Sequence, residues 1–497
     1  MDNLIYKSTR GHGDPVSASK AIIRGIAEDG GLFVPSFIPK IDFNVKEFSK
    51  LNYKELAYTV MSKFFTDFTE EELKSCIDKA YDDKFDTEEI APVKKIGDDF
   101  FLELHHGPTL AFKDVALSIL PHLLKTAVKK QGIDKEVLIL TATSGDTGKA
   151  ALEGFNNVEG TKIIVFYPEV GVSIVQELQM TTHAGDNTFV VAIKGNFDDA
   201  QKAVKEIFTD NKIRKQLAEK GFMFSSANSI NIGRLIPQVV YYFSAYLDLY
   251  KKGEINEGDK INVVVPTGNF GDILAGYFAK SMGLPIDKLI CASNKNKVLS
   301  DFINTGKYDR NREFYVTNSP SMDILVSSNL ERLLYFISGE NPEKISALME
   351  ALSTKGEYTI DKDMKDKLKD FYAGYASETE TCDVITELYK THKEAIDTHT
   401  AVAYSVYKKY TADTKDTTKT VILSTASPFK FPKAVMSSID KKYDGVNEFE
   451  LIKELSKIAN YTIPQGIKDI DTKPQVHNTV CDKKDIKNVV LDFLKIK

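Results

Sequence analysis

The middle of the chain alternates short Val- and Ile-rich runs with longer amphipathic segments, and this alternation constrains the fold more than any other feature. Such an order is typical of β–α–β units, in which helices connect parallel strands. The predicted strands are 136–143, 162–167, 188–193, 261–266, 288–292 and 420–425. The predicted helices between them include 198–208, 231–250 and 272–282. The sequence therefore predicts an α/β protein with helices on both sheet faces.

Two other regions have a different pattern. The first ninety-odd residues contain helical stretches, such as 16–28 and 70–81, and few strand signals. They predict a mostly helical N-terminal domain. Residues 328–413 are polar and helical, and we expect them to form an insertion on the core before the sheet resumes.

Composition excludes several classes of protein. A chain of 497 residues is too long for one hydrophobic core. Its net charge of −6 argues against nucleic acid or an anionic membrane as the main partner. No apolar run approaches the length of a membrane helix, and the first residues do not resemble a signal peptide, so we expect a cytoplasmic protein. The 4 cysteines are widely spaced, which predicts neither a disulfide framework nor a metal site.

Lys113 is an unusual lysine. It follows the run H-G-P-T-L-A-F-K at the opening of a helix predicted to reach about residue 130, with a kink at Pro121. Its helical neighbours three, four and seven positions on are all apolar: Ala116, Leu117 and Leu120. A lysine on an apolar face loses hydration, its pKa falls, and it becomes a usable nucleophile or base. The alternative is a side chain whose stem covers apolar surface while its amine reaches water.

Glycine-bearing turns follow two of the predicted strands. Ser144, Gly145, Asp146, Thr147 and Gly148 come after the first strand, and residues 267–272 come after the strand at 261–266. Such turns let a backbone approach an anion at a helix start, and the carboxyl ends of strands are where open α/β sheets bind ligands. Neither turn has Walker or dinucleotide-binding spacing. The alternative is an N-capped helix after a tight turn.

A third segment, 228–234, supplies Asn228, Ser229 and Arg234 at the opening of a long helix. The planar guanidinium of Arg234 suits a phosphate, although an N-cap with a surface arginine is the alternative. Thr425, at the end of the last predicted strand, could direct a hydroxyl toward the same crevice. A reactive lysine, a phosphate-binding turn and a second anion site together point to pyridoxal phosphate.

These motifs resemble those of a known family. The runs H-G-P-T-L-A-F-K-D (106–114), S-G-D-T-G (144–148), N-S-I-N-x-x-R (228–234) and T-G-N-F-G-D (267–272) are similar to those of the longer subfamily of threonine synthases, which are fold-type II pyridoxal phosphate enzymes. Tyr6–Gly11 resembles the N-terminal motif of that family. The resemblance implies a tryptophan-synthase-β-like fold with two open twisted sheets. We expect an N-terminal domain over 1–95, a large domain over 96–135 and 231–497, and a small α/β domain over 136–230.

The resemblance also implies residue roles. Lys113 would be the Schiff-base lysine, and Thr425 would meet the pyridine nitrogen of the cofactor. The residues expected around the cofactor, mainly its phosphate, are Gly268, Asn269, Phe270, Gly271 and Asp272. The S-G-D-T-G turn would lie near the substrate carboxylate, and Asn228, Ser229 and Arg234 near the substrate phosphate. Ser427 stands where many members of the family have histidine.

The implied reaction converts O-phosphohomoserine and water into threonine and phosphate, by γ-elimination and addition of water at Cβ. The expected protein is a monomer. One rival interpretation is a phospho-lyase of the same fold that releases a 2-oxo acid. Another is a noncatalytic module that binds a phosphorylated metabolite, although the presence of Lys113 argues against it.

Overall fold

The computed structural model describes residues 4–143, 145–169, 172–195 and 197–496. Its N-terminal region is mostly helical, with one small antiparallel ribbon. The elements are β1 (Tyr6–Ser8), α1 (Ala18–Arg24), β2 (Phe33–Pro35), α2 (Val45–Phe48), α3 (Tyr53–Met61) and α4 (Glu70–Ala80). Helices α3 and α4 each begin with a capping box, in which the N-cap side chain and a glutamate three residues on satisfy each other's backbone N–H groups. Helix α1 ends earlier than the sequence predicts, because Gly25 turns the backbone with a φ of 70°.

A six-stranded sheet forms the centre of the larger part of the molecule. Its strands are β3 (Val93–Ile96), β4 (Asp99–Glu103), β9 (Ile261–Pro266), β10 (Ile286–Ser293), β13 (Phe371–Tyr375) and β14 (Thr420–Ser424). They lie in the order β13-β10-β9-β14-β4-β3, and every pair except β3 with β4 is parallel. A separate antiparallel pair consists of β11 (Lys307–Asp309) and β12 (Glu357–Thr359).

A second, five-stranded sheet is entirely parallel. Its strands are β5 (Glu136–Ala142), β6 (Thr161–Pro168), β7 (Thr188–Lys194), β8 (Phe222–Ser225) and β15 (Thr479–Asp482), in the order β15-β7-β6-β5-β8. The predicted pair of open sheets is confirmed. No helix in the described ranges has both the length and the apolar character needed to cross a membrane.

Helices cover both faces of the larger sheet. Val263 and Val265 of β9 belong to one hydrophobic cluster, whereas Val264 between them belongs to another, as the alternation of side chains along a strand requires.

The remaining helices of the described chain, which pack on the two sheets and on one another, are α5 (Lys113–Leu117), α6 (Leu120–Lys130), α7 (Asp146–Phe155), α8 (Ile174–Thr181), α9 (Phe197–Thr209), α10 (Asn211–Glu219), α11 (Ile232–Lys251), α12 (Gly271–Met282), α13 (Val298–Thr305), α14 (Leu330–Ile337), α15 (Pro342–Lys355), α16 (Lys362–Asp366), α17 (Glu378–His392), α18 (Thr398–Thr414), α19 (Pro432–Ile439), α20 (Glu448–Ala459) and α21 (Ile486–Phe493).

The structure corrects the expected organisation at two places. Residues 328–413 are not only a helical insertion, because β13 extends the large sheet by pairing with β10. The end of the chain does not belong wholly to the large domain, because β15 pairs with β7 of the small sheet. Both are edge strands of at most five residues. Their short, partly polar sequences carry little of the apolar signal that marks central strands.

The helix expected over the segment after His106 is also revised. Residues before Lys113 form a turn in which Leu110 adopts a left-handed conformation with a φ of 63°. Helix α5 begins at Lys113, and the chain breaks between α5 and α6 rather than kinking inside one helix. Pro121 then lies in the first turn of α6, where its missing N–H costs nothing.

Candidate active site

The predicted site residues come together where two glycine-bearing turns follow strands of the two sheets. The β5 turn (residues 145–148) begins α7, and the β9 turn (residues 267–272) begins α12. Lys113 opens α5, and Arg234 lies in the first turn of α11. Asp146 contacts Lys113, and Arg234 and Asp272 lie within electrostatic reach of it, so four helix starts from different parts of the chain converge on Lys113. Ser144 lies outside the described residues, and Thr147 is half-buried in the first turn of α7.

Lys113 is a poorly hydrated amine. Its side chain is 12% exposed, and its Nζ lies 3.5 Å from Asp146 Oδ2. The apolar helix neighbours that its spacing predicted, Ala116, Leu117 and Leu120, are buried. Burial lowers the pKa of Lys113, and the nearby cations Lys430 and Arg234 lower it further, while Asp146 opposes them. Lys113 therefore has the character of a nucleophile or base rather than of a solvated surface lysine.

Asp146 accepts hydrogen bonds from several groups besides Lys113. Its Oδ1 accepts from Lys430 Nζ at 2.9 Å and from Gln176 Nε2 at 3.0 Å. Its Oδ2 accepts from Ser321 Oγ at 2.9 Å. Burial opposes ionisation of this carboxyl, but Lys430 and Lys113 outweigh burial and hold its pKa well below the usual range. Asp146 is thus a buried carboxylate stabilised by cations and neutral donors.

A buried His–Asp pair lies behind Asp146. The Ser321 backbone N–H donates to His399 Nε2 at 3.1 Å, so Nδ1 carries the ring hydrogen and donates to Asp397 Oδ2 at 2.7 Å. These groups, with Lys430, were missed from the sequence. His399 is isolated along the chain and gave no signal of its own. Lys430 offered a weak one, because it stands between Phe429 and Phe431 just after the segment that contains Thr425.

The β9 turn contrasts with the β5 turn in charge. Phe270 adopts a left-handed conformation with a φ of 62° as the chain enters α12, and as the N-cap residue it provides no capping side chain. Within the first turn, Asp272 Oδ1 accepts from the Ile273 backbone N–H at 2.8 Å. The Asn269 carbonyl accepts from both the backbone and the side chain of Asn329, at 3.1 and 3.0 Å. Asp272 is buried, which raises its pKa to about 7. The turn therefore offers helix N–H groups without a strongly ionised carboxylate beside them.

Arg234 is a buried cation rather than a surface arginine. Its side chain is 4% exposed, and Nη1 donates to the Ala227 carbonyl at 2.9 Å. Within the described residues Nε has no hydrogen-bond partner, and no carboxylate pairs with the guanidinium. Burial lowers the pKa of Arg234 to about 10. An unpaired buried guanidinium is costly unless an anion joins it.

The rest of the segment 228–234 is arranged differently. Asn231, which was not a predicted site residue, is the N-cap of α11 and also donates to the Ile22 carbonyl at 2.9 Å. Asn228 is exposed, and Ser229 is half-buried. The expected capping role therefore falls to Asn231 and leaves the side chains of Asn228 and Ser229 outside it.

Thr425 follows β14 and ties the start of α5 to the large sheet. Its carbonyl accepts from the Phe112 backbone N–H at 2.8 Å. The Ser427 N–H donates to the Leu110 carbonyl at 3.0 Å. The Ser427 hydroxyl caps the following turn. These bonds fix the position at which Lys113 enters the site, and Thr425 is itself buried there.

Family models match almost the whole chain. A model described as threonine synthase N terminus matches residues 5–81, one described as pyridoxal-phosphate dependent enzyme matches 89–426, and one described as threonine synthase, C-terminal matches 400–490. The second covers Lys113, both turns and Arg234. The first coincides with the helical N-terminal region.

Individual proteins give the same result. The chain is 39% identical to threonine synthase of Pseudomonas aeruginosa, over 86% of this chain and 89% of that protein. It is 41% identical to human threonine synthase-like 1 over 86% of its length, but it spans only 58% of that longer relative. A crystal structure of pyridoxal phosphate-bound threonine synthase from Brucella melitensis superposes with a TM-score of 0.87 at 34% identity and covers 99% of both chains.

Proposed function

Because this chain belongs to the threonine synthase family of pyridoxal-phosphate-dependent enzymes, we propose that it converts O-phospho-L-homoserine and water into L-threonine and phosphate. The observation that carries this proposal is the buried Arg234, whose Nε has no partner among the described residues and which lies within electrostatic reach of Lys113. A substrate with a phosphate on its side chain would supply the missing anion.

The residues present suit pyridoxal phosphate as cofactor. Lys113 is an amine of lowered pKa, as a bond to an aldehyde requires. The N-cap residue of α12, Phe270, provides no capping side chain, so the N–H groups that precede Asp272 suit a phosphate. We therefore assign cofactor binding to Lys113, to Thr425 and to the β9 turn, which includes Gly268, Asn269, Phe270, Gly271 and Asp272. When bound, the cofactor supplies an electron sink that acidifies the substrate Cα–H.

Lys113 would move protons during the reaction. Its amine removes the proton from the substrate Cα and shuttles protons to and from Cβ while the γ-phosphate departs. The low hydration of its surroundings lowers the pKa of the amine and so favours its uncharged form, which can accept a proton. The surrounding groups would also hold the reacting substrate in place until water adds at Cβ.

Arg234 would hold the substrate phosphate, together with Asn228 and Ser229. The guanidinium presents a planar donor set to the phosphate oxygens and stabilises the charge that grows as the Cγ–O bond breaks. The β5 turn, with Gly145, Asp146 and Thr147, would lie beside the substrate carboxylate, and we include Ser144 in that assignment. We further propose a cytoplasmic monomer whose partner is this small molecule and neither nucleic acid nor membrane, which the net charge of −6 supports.

The test is a product assay on the full chain loaded with pyridoxal phosphate. O-phospho-L-homoserine should yield threonine and inorganic phosphate in equal amounts. Release of phosphate with a 2-oxo acid and ammonium would instead assign the chain as a phospho-lyase. A protein that binds the substrate without any product would be a noncatalytic module. Either of these outcomes overturns the proposal.

A further inference from the structure

Lys430 is the most deeply buried cation near the site, and no role for it follows from the motifs. Its side chain has 0% exposure. Its Nζ donates to Asp146 Oδ1 at 2.9 Å and to the Thr109 carbonyl at 2.7 Å. A buried lysine is expensive unless its charge is matched, so a structure that retains one in this place must pair it well. Asp146 is the carboxylate that meets this need.

The distances show how Asp146 divides its interactions. Lys430, Gln176 and Ser321 all lie within 3.0 Å of its oxygens, whereas Lys113 Nζ lies at 3.5 Å. Charge-assisted hydrogen bonds are normally shorter than 3.0 Å, so the contact with Lys113 is the weakest of the four. The oxygens of Asp146 thus already accept three shorter hydrogen bonds, from Lys430, Gln176 and Ser321, and do not depend on Lys113 as a donor.

We propose that Lys430 is a positioning residue for the Lys113 amine: its buried ammonium neutralises Asp146, so that Asp146 does not hold Lys113 as a charged partner. The inference rests on the proposed function only in taking Lys113 as the reactive amine. Without Lys430, the full charge of Asp146 would face Lys113 at short range. The two would then form a close ion pair, and Lys113 would be an ammonium with no free electron pair.

The other charged groups that face Lys113 act in the same direction or only weakly. Arg234 is a further cation that disfavours the ammonium form of Lys113. Asp272 is a second carboxyl within electrostatic reach, but burial favours its protonated form. Asp146 is therefore the carboxylate that could trap Lys113 in its charged form, and Lys430 is the group that prevents it.

The test measures the protonation of Lys113 in the full-length chain prepared without cofactor. Trace acetylation with acetic anhydride at a series of pH values, quantified at Lys113 by mass spectrometry, yields its apparent pKa. Lys430→Met should raise that value by about one to two pH units, because an opposite charge nearby stabilises an ammonium by this order. Lys430→Arg keeps the charge and should restore the parent value to within about half a unit.

Lys149→Met is the matched control. Lys149 is also buried and pairs with Glu153 at 2.8 Å on α7, the helix that Asp146 begins, but it does not contact Asp146. This variant loses a comparable ion pair and should leave the Lys113 titration unchanged. If Lys430→Met does not accumulate folded, Lys430→Gln keeps a donor for Asp146 without the charge and is expected to raise the value likewise.

An unchanged Lys113 titration in folded Lys430→Met or Lys430→Gln would overturn the proposal, as would an equal shift in Lys149→Met. The labelling needs no O-phosphohomoserine. An upward shift in a protein that makes no threonine would therefore support the role of Lys430 and count against the proposed reaction alone.

Discussion

The β5 turn and the β9 turn occupy equivalent places at the carboxyl ends of parallel strands, yet the pKa values of their aspartates are shifted in opposite directions. Each places an aspartate in the first turn of the following helix, Asp146 in α7 and Asp272 in α12. Asp146 is surrounded by donors, and its pKa lies well below the usual range. Asp272 has a pKa of about 7, because burial raises it.

This difference shows what each turn has left for a ligand. In the β5 turn the Thr143 hydroxyl accepts from the N–H groups of Gly145 and Gly148, each at 3.0 Å, and Asp146 is paired with Lys430. In the β9 turn the N-cap residue, Phe270, provides no capping side chain, and Asp272 Oδ1 accepts from the Ile273 N–H at 2.8 Å. The β5 turn thus pairs its aspartate and two of its N–H groups internally. In the β9 turn, among the described residues, the N–H groups that precede Asp272 have no side-chain cap and can meet a phosphate.

The largest expected effect comes from removing the amine that both turns face. Lys113→Ala should lower turnover by about 10²- to 10⁴-fold, the usual contribution of a positioned acid–base group. It should also abolish the visible absorbance of cofactor bound covalently to the protein. Absorbance spectra and steady-state rates check both. Covalent cofactor absorbance that persists in the variant would place the covalent bond on another residue.

The two aspartates should respond differently to loss of charge. Asp146→Asn leaves Lys430 buried without a counterion and should cost about 3–5 kcal/mol of unfolding free energy at neutral pH. Asp272→Asn resembles the protonated carboxyl and removes no counterion from a buried cation, so at the same pH it should not lower the unfolding free energy by more than about 1 kcal/mol. Urea unfolding of the cofactor-free chain measures both. Equal losses would mean that the two turns do not differ in charge.

The pH dependence of stability tests the raised pKa of Asp272 and predicts the direction of the change. Asp272 has a raised pKa in the folded chain, so its contribution to stability is full below its ordinary value of 3.8 and is lost as pH rises through about 7. Asp272→Asn should therefore gain stability relative to the parent as pH rises from about 4 to about 7, and the difference in Tm should level off above pH 7. A difference in Tm that stays constant over this range would contradict the raised pKa.

Arg234 should matter for the substrate and not for the cofactor. Arg234→Ala should raise KM for O-phosphohomoserine, or lower kcat, by about ten- to a hundredfold, because a hydrogen bond to a charged group contributes about 1.5–3 kcal/mol. Arg234→Lys should recover only part of the loss, since it keeps the charge but not the planar donors. Cofactor absorbance serves as the control. Normal kcat/KM in Arg234→Ala would remove this residue from the site.

The smallest effects on the fold are expected in the β9 turn. A Cβ at Gly271 would meet its nearest atoms at 3.6 Å, an ordinary contact, so Gly271→Ala should leave the stability of the cofactor-free chain within about 1 kcal/mol. A Cβ at Gly268 would lie 2.8 Å from the Ser321 carbonyl, so Gly268→Ala should destabilise by about 1–3 kcal/mol. If Gly271→Ala is stable but binds pyridoxal phosphate more weakly, this part of the turn contacts the cofactor. Unchanged affinity would show that it has only a structural role.

Sequence patterns predicted the central strands and the apolar face of Lys113 because both depend on local periodicity. Strand β9 begins and ends where it was predicted. The edge strands β13 and β15 escaped prediction because pairing with a distant strand, rather than their own residues, makes them strands. Lys430, Ser321 and His399 escaped for a similar reason. Their roles arise from contacts between segments more than 75 residues apart along the chain, such as Ser321 with His399 at a separation of 78.

The most direct test of the proposed reaction traces the oxygen of water. In H₂¹⁸O, the loaded enzyme should convert O-phospho-L-homoserine into threonine that carries one ¹⁸O on Cβ and into phosphate that carries none, because the Cγ–O bond breaks and water adds at Cβ. Mass spectrometry of both products gives the answer. Labelled phosphate with homoserine would show cleavage of the P–O bond, and a 2-oxo acid in place of threonine would show elimination without hydration at Cβ; either result would contradict the proposal.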